Sequence, residues 1–172
     1  MTKQELEVCI QAHGRDIYSF CRQLAGDRQE ADELYQDIFL TAVERLESID
    51  CENNPKSYLL SIAIRLWQNR KRKFAWRRRI ADIRPMDEEK RGEQAEGEET
   101  APEQKVLEKE RDAAVRQAVN RLPERLRVVT LLYYMEELST GQIATVLKIP
   151  KGTVSSRLHQ ARELLRQELE DF

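Results

Sequence analysis

Two amphipathic segments meeting at Ile149-Pro150, within the stretch Ser139 to Arg166 (STGQIATVLKIPKGTVSSRLHQARELLR), constrain this chain more than any other feature. Ser139 suits an N-cap, and Ile143, Ala144, Val146 and Leu147 follow at helical spacing as the inward face of a short helix. Pro150 cannot continue that helix but suits the first turn of the next, where its missing N–H had no intrahelical partner to lose. The second helix is expected to bury Val154, Leu158, Ala161, Leu165 and Leu169. Its other faces then present Lys151, Thr153, Ser155, Ser156, His159, Gln160 and Arg162. Helix, tight turn, helix is the pattern of a DNA-reading hairpin. Small hydroxyl residues allow close approach to a major groove, amide or imidazole groups reach base edges, and Lys or Arg neutralises phosphate. An ordinary helical hairpin with a solvated outer face accounts for the apolar spacing, but not for the Pro-Lys-Gly-Thr-Val junction with small residues turned outward.

At 172 residues the chain has room for one ordinary domain or two small ones, and 6% aromatic with 35% charged residues suits helical bundles with highly solvated surfaces. No apolar run approaches the roughly 18–20 residues of a membrane span, and the N-terminus lacks a signal-peptide core, so a cytoplasmic protein without direct membrane insertion is expected. Cys9, Cys21 and Cys51 form no CxxC pair. Cys9 and His13 stand four apart on a predicted helix, yet Cys21 lies about 12 Å further along by helical rise. No metal site is expected, and the thiols read as buried or idle.

The net charge of −2 conceals strong segregation. Residues 1–64 carry 6 basic and 12 acidic side chains, residues 65–84 carry 9 and 1, residues 85–104 carry 2 and 8, and residues 105–172 carry 12 and 10. One surface should attract polyanions while another favours a basic protein surface.

Thr2-Lys3-Gln4-Glu5 has capping-box spacing, and Leu6, Ile10, Ile17, Phe20 and Leu24 follow with helical period up to Gly26. Asp27 opens a second helix with Ala31, Leu34, Ile38, Ala42 and Leu46 on one side. After Asn53-Asn54-Pro55 a third helix turns Tyr58, Leu59, Ile62, Ala63 and Leu66 inward. Pro85 to Pro102 offers only Met86 as a large apolar residue and reads as a flexible acidic linker, because it cannot bury enough surface to offset its conformational entropy. A further helical run passes through Val106, Ala114, Val115, Ala118, Val119 and Leu122. Leu122-Pro123 starts the next, with Leu126, Val129, Leu132 and Tyr133. The fold class is all-α, with two small helical domains: residues 1–84 and 105–172, joined by a linker over 85–104.

The stretch RLWQNRKRKFAWRRR, Arg65 to Arg79, interleaves eight basic residues with Trp67, Phe74 and Trp76. Its charge supplies sequence-independent affinity for phosphates through counterion release. Its rings suit stacking on unpaired bases, each worth on the order of 1–3 kcal/mol. For Trp67 a place in the core is the equal alternative.

The order LYQDIFLTAVERL, PKSYLLSIAIRLWQNRKRK, acidic linker, RLPERLRVVTLLYYMEELSTGQIATVLKIPKGTVSSRLHQARELL resembles the extracytoplasmic-function sigma factors, the small two-domain initiation subunits of bacterial RNA polymerase. The resemblance spans nearly the whole chain. It implies that the first domain corresponds to sigma region 2, whose second helix, through Leu34, Gln36, Asp37 and Phe39, docks on the clamp helices of the largest polymerase subunit. The loop Asp50 to Lys56 and the helix after it, with Arg65, Asn69, Arg70, Lys71, Arg72 and Lys73, would read and open the −10 element. The second domain corresponds to region 4 and would place Lys151, Thr153, Ser155, Ser156, Arg157, His159, Gln160 and Arg162 at the −35 element, while also touching the polymerase flap. Arg157 and Arg162 match commonly basic positions and are assigned to phosphate or intradomain contacts. Core RNA polymerase, promoter DNA and an anti-sigma factor are the implied partners, with no cofactor, no small-molecule substrate and no catalysis by this chain. Arg65 stands where many members have Asn, Asn69 where they often have Asp, and Ser155, His159 and Gln160 where Arg or a bulky residue is common. The promoter sequence is therefore not transferable.

A polymerase-independent helix-turn-helix regulator accounts equally well for residues 139–169 but leaves LYQDIF and the linker unexplained. An RNA-binding adaptor conflicts with the helix-turn-helix, since A-form major grooves do not admit a helix. An enzyme lacks its parts: His13 and His159 are the only histidines, and no Gly-rich phosphate loop occurs.

Overall fold

The computed structural model describes residues 1–49, 54–80 and 103–170, and among them every regular element is helical. Cys51, most of the loop Asp50 to Lys56 and the expected linker up to residue 102 lie outside the described residues. Contacts divide the chain into two units, Met1–Glu93 and Gln94–Phe172.

In the first unit, α1 (Lys3–Ala25) begins with a complete capping box: the Glu5 N–H donates to the Thr2 hydroxyl and the Thr2 N–H to the Glu5 carboxylate. Gly26 ends it at φ 71, a left-handed C-cap that glycine adopts without steric cost. Asp27 caps α2 (Arg28–Glu44) by accepting from the Gln29 N–H at 2.9 Å. This helix stops earlier than expected. Leu46 belongs to a separate 3-10 turn, Leu46–Ser48, whose surroundings are pinned by the Met1 ammonium donating to the carbonyls of Leu46 and Ile49.

The third helix, α3 (Pro55–Ile80), packs against both α1 and α2. An element flanked on two sides needs a wider apolar stripe than one face, and Leu60, Ile64 and Trp67 are buried in addition to Leu59, Ile62 and Ala63. Tyr58 and Leu66, expected inward, are half-buried at the edges. Ile17, Phe20 and Leu24 meet Leu34, Ile38, Leu59 and Leu60 in a core where each is under 2% exposed. Each such side chain contributes roughly 1.5–3 kcal/mol of burial free energy. From residue 71 onward every position of α3 is exposed, so its last turns extend beyond that core.

The second unit contains α4 (Glu103–Arg121), α5 (Glu124–Thr130), a wide π turn (Leu131–Met135), α6 (Thr140–Leu147) and α7 (Lys151–Glu170). The Pro123 carbonyl accepts from the N–H groups of Leu126 and Arg127, opening α5. Leu122, Leu126 and Ala161 form a buried cluster with Leu165 against it, and Val129, Leu132, Ile143 and Val154 are each fully buried. Ala118 is also buried, whereas Val115, expected inward, is 44% exposed.

Between the two hairpin helices, Lys148 takes the left-handed conformation at φ 54, which lets the chain reverse within three residues. The Ser139–Gln142 capping box fixes the start of α6. Only Ile143 of that helix is fully buried; Ala144, Val146 and Leu147 are half-buried. Pro150 does not occupy the first helical turn. Its carbonyl accepts from the N–H groups of Thr153 and Val154, so it sits one residue earlier, as the N-cap of α7.

Candidate nucleic-acid interface

Val154, Leu158 and Ala161 anchor α7 and thereby decide what it presents. Lys151, Ser155, Ser156, His159, Gln160 and Arg162 are exposed, while Thr153 and Arg157 are half-buried on its margins. The Ser155 hydroxyl donates to the Lys151 carbonyl at 3.2 Å and the Ser156 hydroxyl to the Thr153 carbonyl at 3.0 Å. With their protons committed to the backbone, both hydroxyls are left as acceptors, and that of Ser156, at the outward centre, has a polarity matching the exocyclic amines of cytosine and adenine in a major groove. His159 and Gln160 follow one turn later with donor and acceptor capacity.

Arg162 is held within its own domain. Its Nε–H donates to the Tyr134 hydroxyl at 2.8 Å, and the guanidinium lies 5.6 Å and 5.9 Å from the ring centroids of Tyr133 and Tyr134. The Tyr134 hydrogen bond raises the guanidinium's already high pKa. Of the phosphate or intradomain contacts expected of Arg162, the fold holds an intradomain one, to Tyr134, a partner that sequence reading overlooked.

On α3 the expected DNA-facing residues separate into two sets. Arg65, Asn69, Lys71, Arg72 and Lys73 are exposed, with Arg72 donating to the Asn69 side-chain oxygen at 2.6 Å. Arg70 instead turns toward α2, donating to the Asp37 carboxylate at 2.5 Å with Glu33 3.7 Å away. The two tryptophans also part company. Trp67 is 6% exposed, in the core with Lys71 over its ring, whereas Trp76 is 65% exposed. Phe74 is exposed beside Arg78.

Of the four α2 residues expected to dock on polymerase, Gln36 is exposed, and Asp37 and Phe39 are partly exposed. Leu34 is not available: it is 0% exposed, in the inward stripe with Ala31, Ile38 and Ala42. Phe39 closes an edge-to-face ladder with Tyr35 and Tyr18. Burial raises the Tyr35 pKa, and donation to the Asp32 carboxylate raises that of Tyr18. The apolar residues that do face outward are Leu40 at 63% and Val43 at 48% exposure, on one stripe with Gln36 at spacings of four and three. Their signal was in the sequence, as leucine and valine out of register with the inward stripe.

No group of three or more metal-ligating side chains occurs among the described residues, and Cys9 and Cys21 are buried free thiols. No described helix is long and apolar enough to cross a membrane.

Residues 9–78 match the family described as Sigma-70 region 2, and residues 112–165 match Sigma-70 region 4. The chain is 31% identical to the ECF RNA polymerase sigma factor SigW of Bacillus subtilis, over 91% of its own length and 84% of that protein's. It is 30% identical to the RNA polymerase sigma-H factor of Pseudomonas aeruginosa, over 98% and 88% of the two chains. Among solved structures, the sigma factor RpoE of Bartonella quintana, determined in complex with the anti-sigma factor NepR, shares the fold with a TM-score of 0.70 at 23% identity, covering 98% of this chain and 96% of that one. CnrH, determined with the cytosolic domain of CnrY, gives 0.67 at 19% identity over 99% and 90%. Both sigma regions in order, on helices that present these surfaces, together with relatives matched along most of their length, place the chain in the extracytoplasmic-function sigma factors, the initiation factors that direct bacterial RNA polymerase to promoters.

Proposed function

We propose that the chain binds core RNA polymerase through the outward stripe of α2, with Gln36, Leu40 and Val43 at its centre and Asp37 and Phe39 at its margin. The observation carrying this reading is an exposed apolar stripe on an otherwise acidic helix, since apolar surface gives affinity and the acidic surround suits a basic partner. The exposed basic residues of α3, Arg65, Lys71, Arg72 and Lys73, with Asn69 among them, then face the −10 element, and the outer face of α7 enters the −35 major groove. Residues 1–84 and 105–172 serve as the two promoter-reading domains, and the acidic segment 85–104 threads polymerase channels by imitating nucleic-acid charge. Catalysis belongs to the core enzyme, and the chain works in the cytoplasm. An anti-sigma factor covering the α2 stripe would hold it inactive; the structural neighbour RpoE was determined bound to the anti-sigma factor NepR.

The test is co-elution of the purified chain with bacterial core polymerase, followed by run-off transcription from a genomic fragment library. Discrete transcripts sharing two spaced elements are expected. A Leu40→Glu variant should lose co-elution while keeping its fold, because Leu40 is exposed. Failure to bind any core enzyme, with tight duplex binding by the chain alone, would replace this reading with a conventional helix-turn-helix regulator.

A further inference from the structure

The wide turn after α5 places Tyr133 and Tyr134 beside Arg162 on the flank of α7. The Glu136 N–H reaches back five residues to the Leu131 carbonyl at 3.1 Å, and the Leu138 N–H reaches six residues to Leu132 at 3.0 Å. Such π turns are rare and gather at functional positions. Here the turn brings the Tyr133 and Tyr134 rings edge to face at 4.9 Å, with the Arg162 guanidinium beside both. Tyr134 is 55% exposed and Arg162 is exposed, so the cluster lies at the surface.

The position of Arg162 on α7 gives this cluster a direction. Lys151, Ser155 and Arg162 recur at spacings of four and seven and therefore fall on one stripe. That stripe runs beside the buried one of Val154, Leu158 and Ala161, not opposite it, while Gly152, Ser156 and Glu163 occupy the outward centre. A helix whose outward centre faces base edges turns its flanks toward the phosphates on either side of the groove. Arg162 has five N–H donors, and the one on Nε is given to Tyr134, which leaves four on the two terminal amino groups. A guanidinium whose plane is fixed loses less side-chain freedom when it grips a phosphate than one that must first be ordered.

We infer that Tyr134 is a positioning residue for DNA: its hydroxyl, set by the π turn, pre-orients Arg162 to clamp a backbone phosphate at the edge of the −35 major groove. This rests on the recognition-helix reading of α7. Tyr134 touches no DNA in this arrangement and acts through Arg162 alone. The same geometry predicts that Arg162→Lys does not replace Arg162, because an ammonium lacks the planar fork that can be fixed on the tyrosine side and still meet a phosphate with two parallel N–H groups.

The experiment uses holoenzyme assembled from the full chain and core polymerase, on a promoter fragment recovered by the run-off selection, with equilibrium binding measured across a series of salt concentrations. Arg162→Ala should reduce the slope of log affinity against log salt by about one, the value of one lost phosphate contact. Tyr134→Phe should weaken binding roughly 3- to 10-fold and lower the slope in the same direction, with thermal stability and core binding unchanged. Adding Tyr134→Phe to Arg162→Ala should change nothing further. Full additivity of the two substitutions, or an unchanged slope in Tyr134→Phe, overturns the inference. Ser156→Arg serves as the control for the underlying reading. If it alters −35 preference while Arg162→Ala leaves the slope intact, the positioning role alone fails; if it leaves preference unaltered as well, α7 is not the recognition helix and both fail.

Discussion

Arg70 of α3 reaches across to Asp37 of α2 and donates to its carboxylate at 2.5 Å, with Glu33 3.7 Å from the same guanidinium. A residue expected on the −10 side is therefore tied to one expected on the polymerase side. Arg70 is 30% exposed and Asp37 46%, so solvent screens the pair and its contribution to stability is modest, about 0.2–1 kcal/mol. The pair joins α3 to α2 just before residue 71, from which α3 is exposed throughout.

Reversing the charge at this position tests both roles. Asp37→Arg should weaken core polymerase binding and also cost about 1 kcal/mol, since the new cation faces Arg70. Combining it with Arg70→Asp should restore thermal stability by rebuilding the pair in the opposite sense, while polymerase binding stays weak. Recovery of both properties in the double variant would mean that Asp37 serves only to hold α3 and takes no part in docking.

The two tryptophans should behave as opposites. Trp67, in the core, should cost about 3–5 kcal/mol when changed to Ala, while Trp76→Ala should change stability by less than about 0.5 kcal/mol. Single-stranded promoter DNA should quench the fluorescence of Trp76, and Trp76→Phe should abolish that quenching. Quenching that survives in Trp76→Phe would exclude stacking at this end of α3.

Much of this arrangement was legible in the sequence because local signals and the fold agree. Thr2 with Glu5 is a capping box in the chain and in the structure, Ser139 is the N-cap that its position suggests, and the inward stripes of α1 and α7 follow their helical period. Leu34 was expected both in the inward stripe and in docking, and its register with Ala31 and Ile38 decides for the core. What escaped was set by tertiary contact. The Arg70 pairing depends on how α3 crosses α2, and no one-dimensional pattern records that angle. The π turn at Leu131–Met135 keeps an apolar helical pattern, so Tyr133 and Tyr134 read as further positions of a regular helix, not as a shelf for Arg162.

The turn of the hairpin carries backbone strain that a glycine would remove. Lys148 adopts φ 54 with an exposed side chain, a conformation that costs a residue bearing a Cβ about 1–2 kcal/mol. Glycine loses more chain entropy on folding, so Lys148→Gly should stabilise the second unit by about 0.5–1 kcal/mol, and Lys148→Val should destabilise it by a similar amount. Thermal denaturation followed by circular dichroism checks both. Equal melting temperatures for the three proteins would show that the turn is already relaxed.

Base reading should respond at Ser156 and His159 independently of polymerase binding. Ser156 lies at the outward centre of α7 with its hydroxyl proton committed to Thr153, so on the proposed reading it would meet the groove as an acceptor. Replacing it with Arg supplies donors that fit guanine O6 and N7, and preference at the matching −35 position should shift toward guanine by about 1–3 kcal/mol. His159→Ala removes a group one turn further along, and discrimination should relax at a neighbouring base pair. Selection from a randomised −35 library by holoenzyme, with core affinity measured in parallel, reads both effects. Changes confined to core affinity, with the selected sequences unaltered, would move the DNA-reading face of α7 away from these two residues.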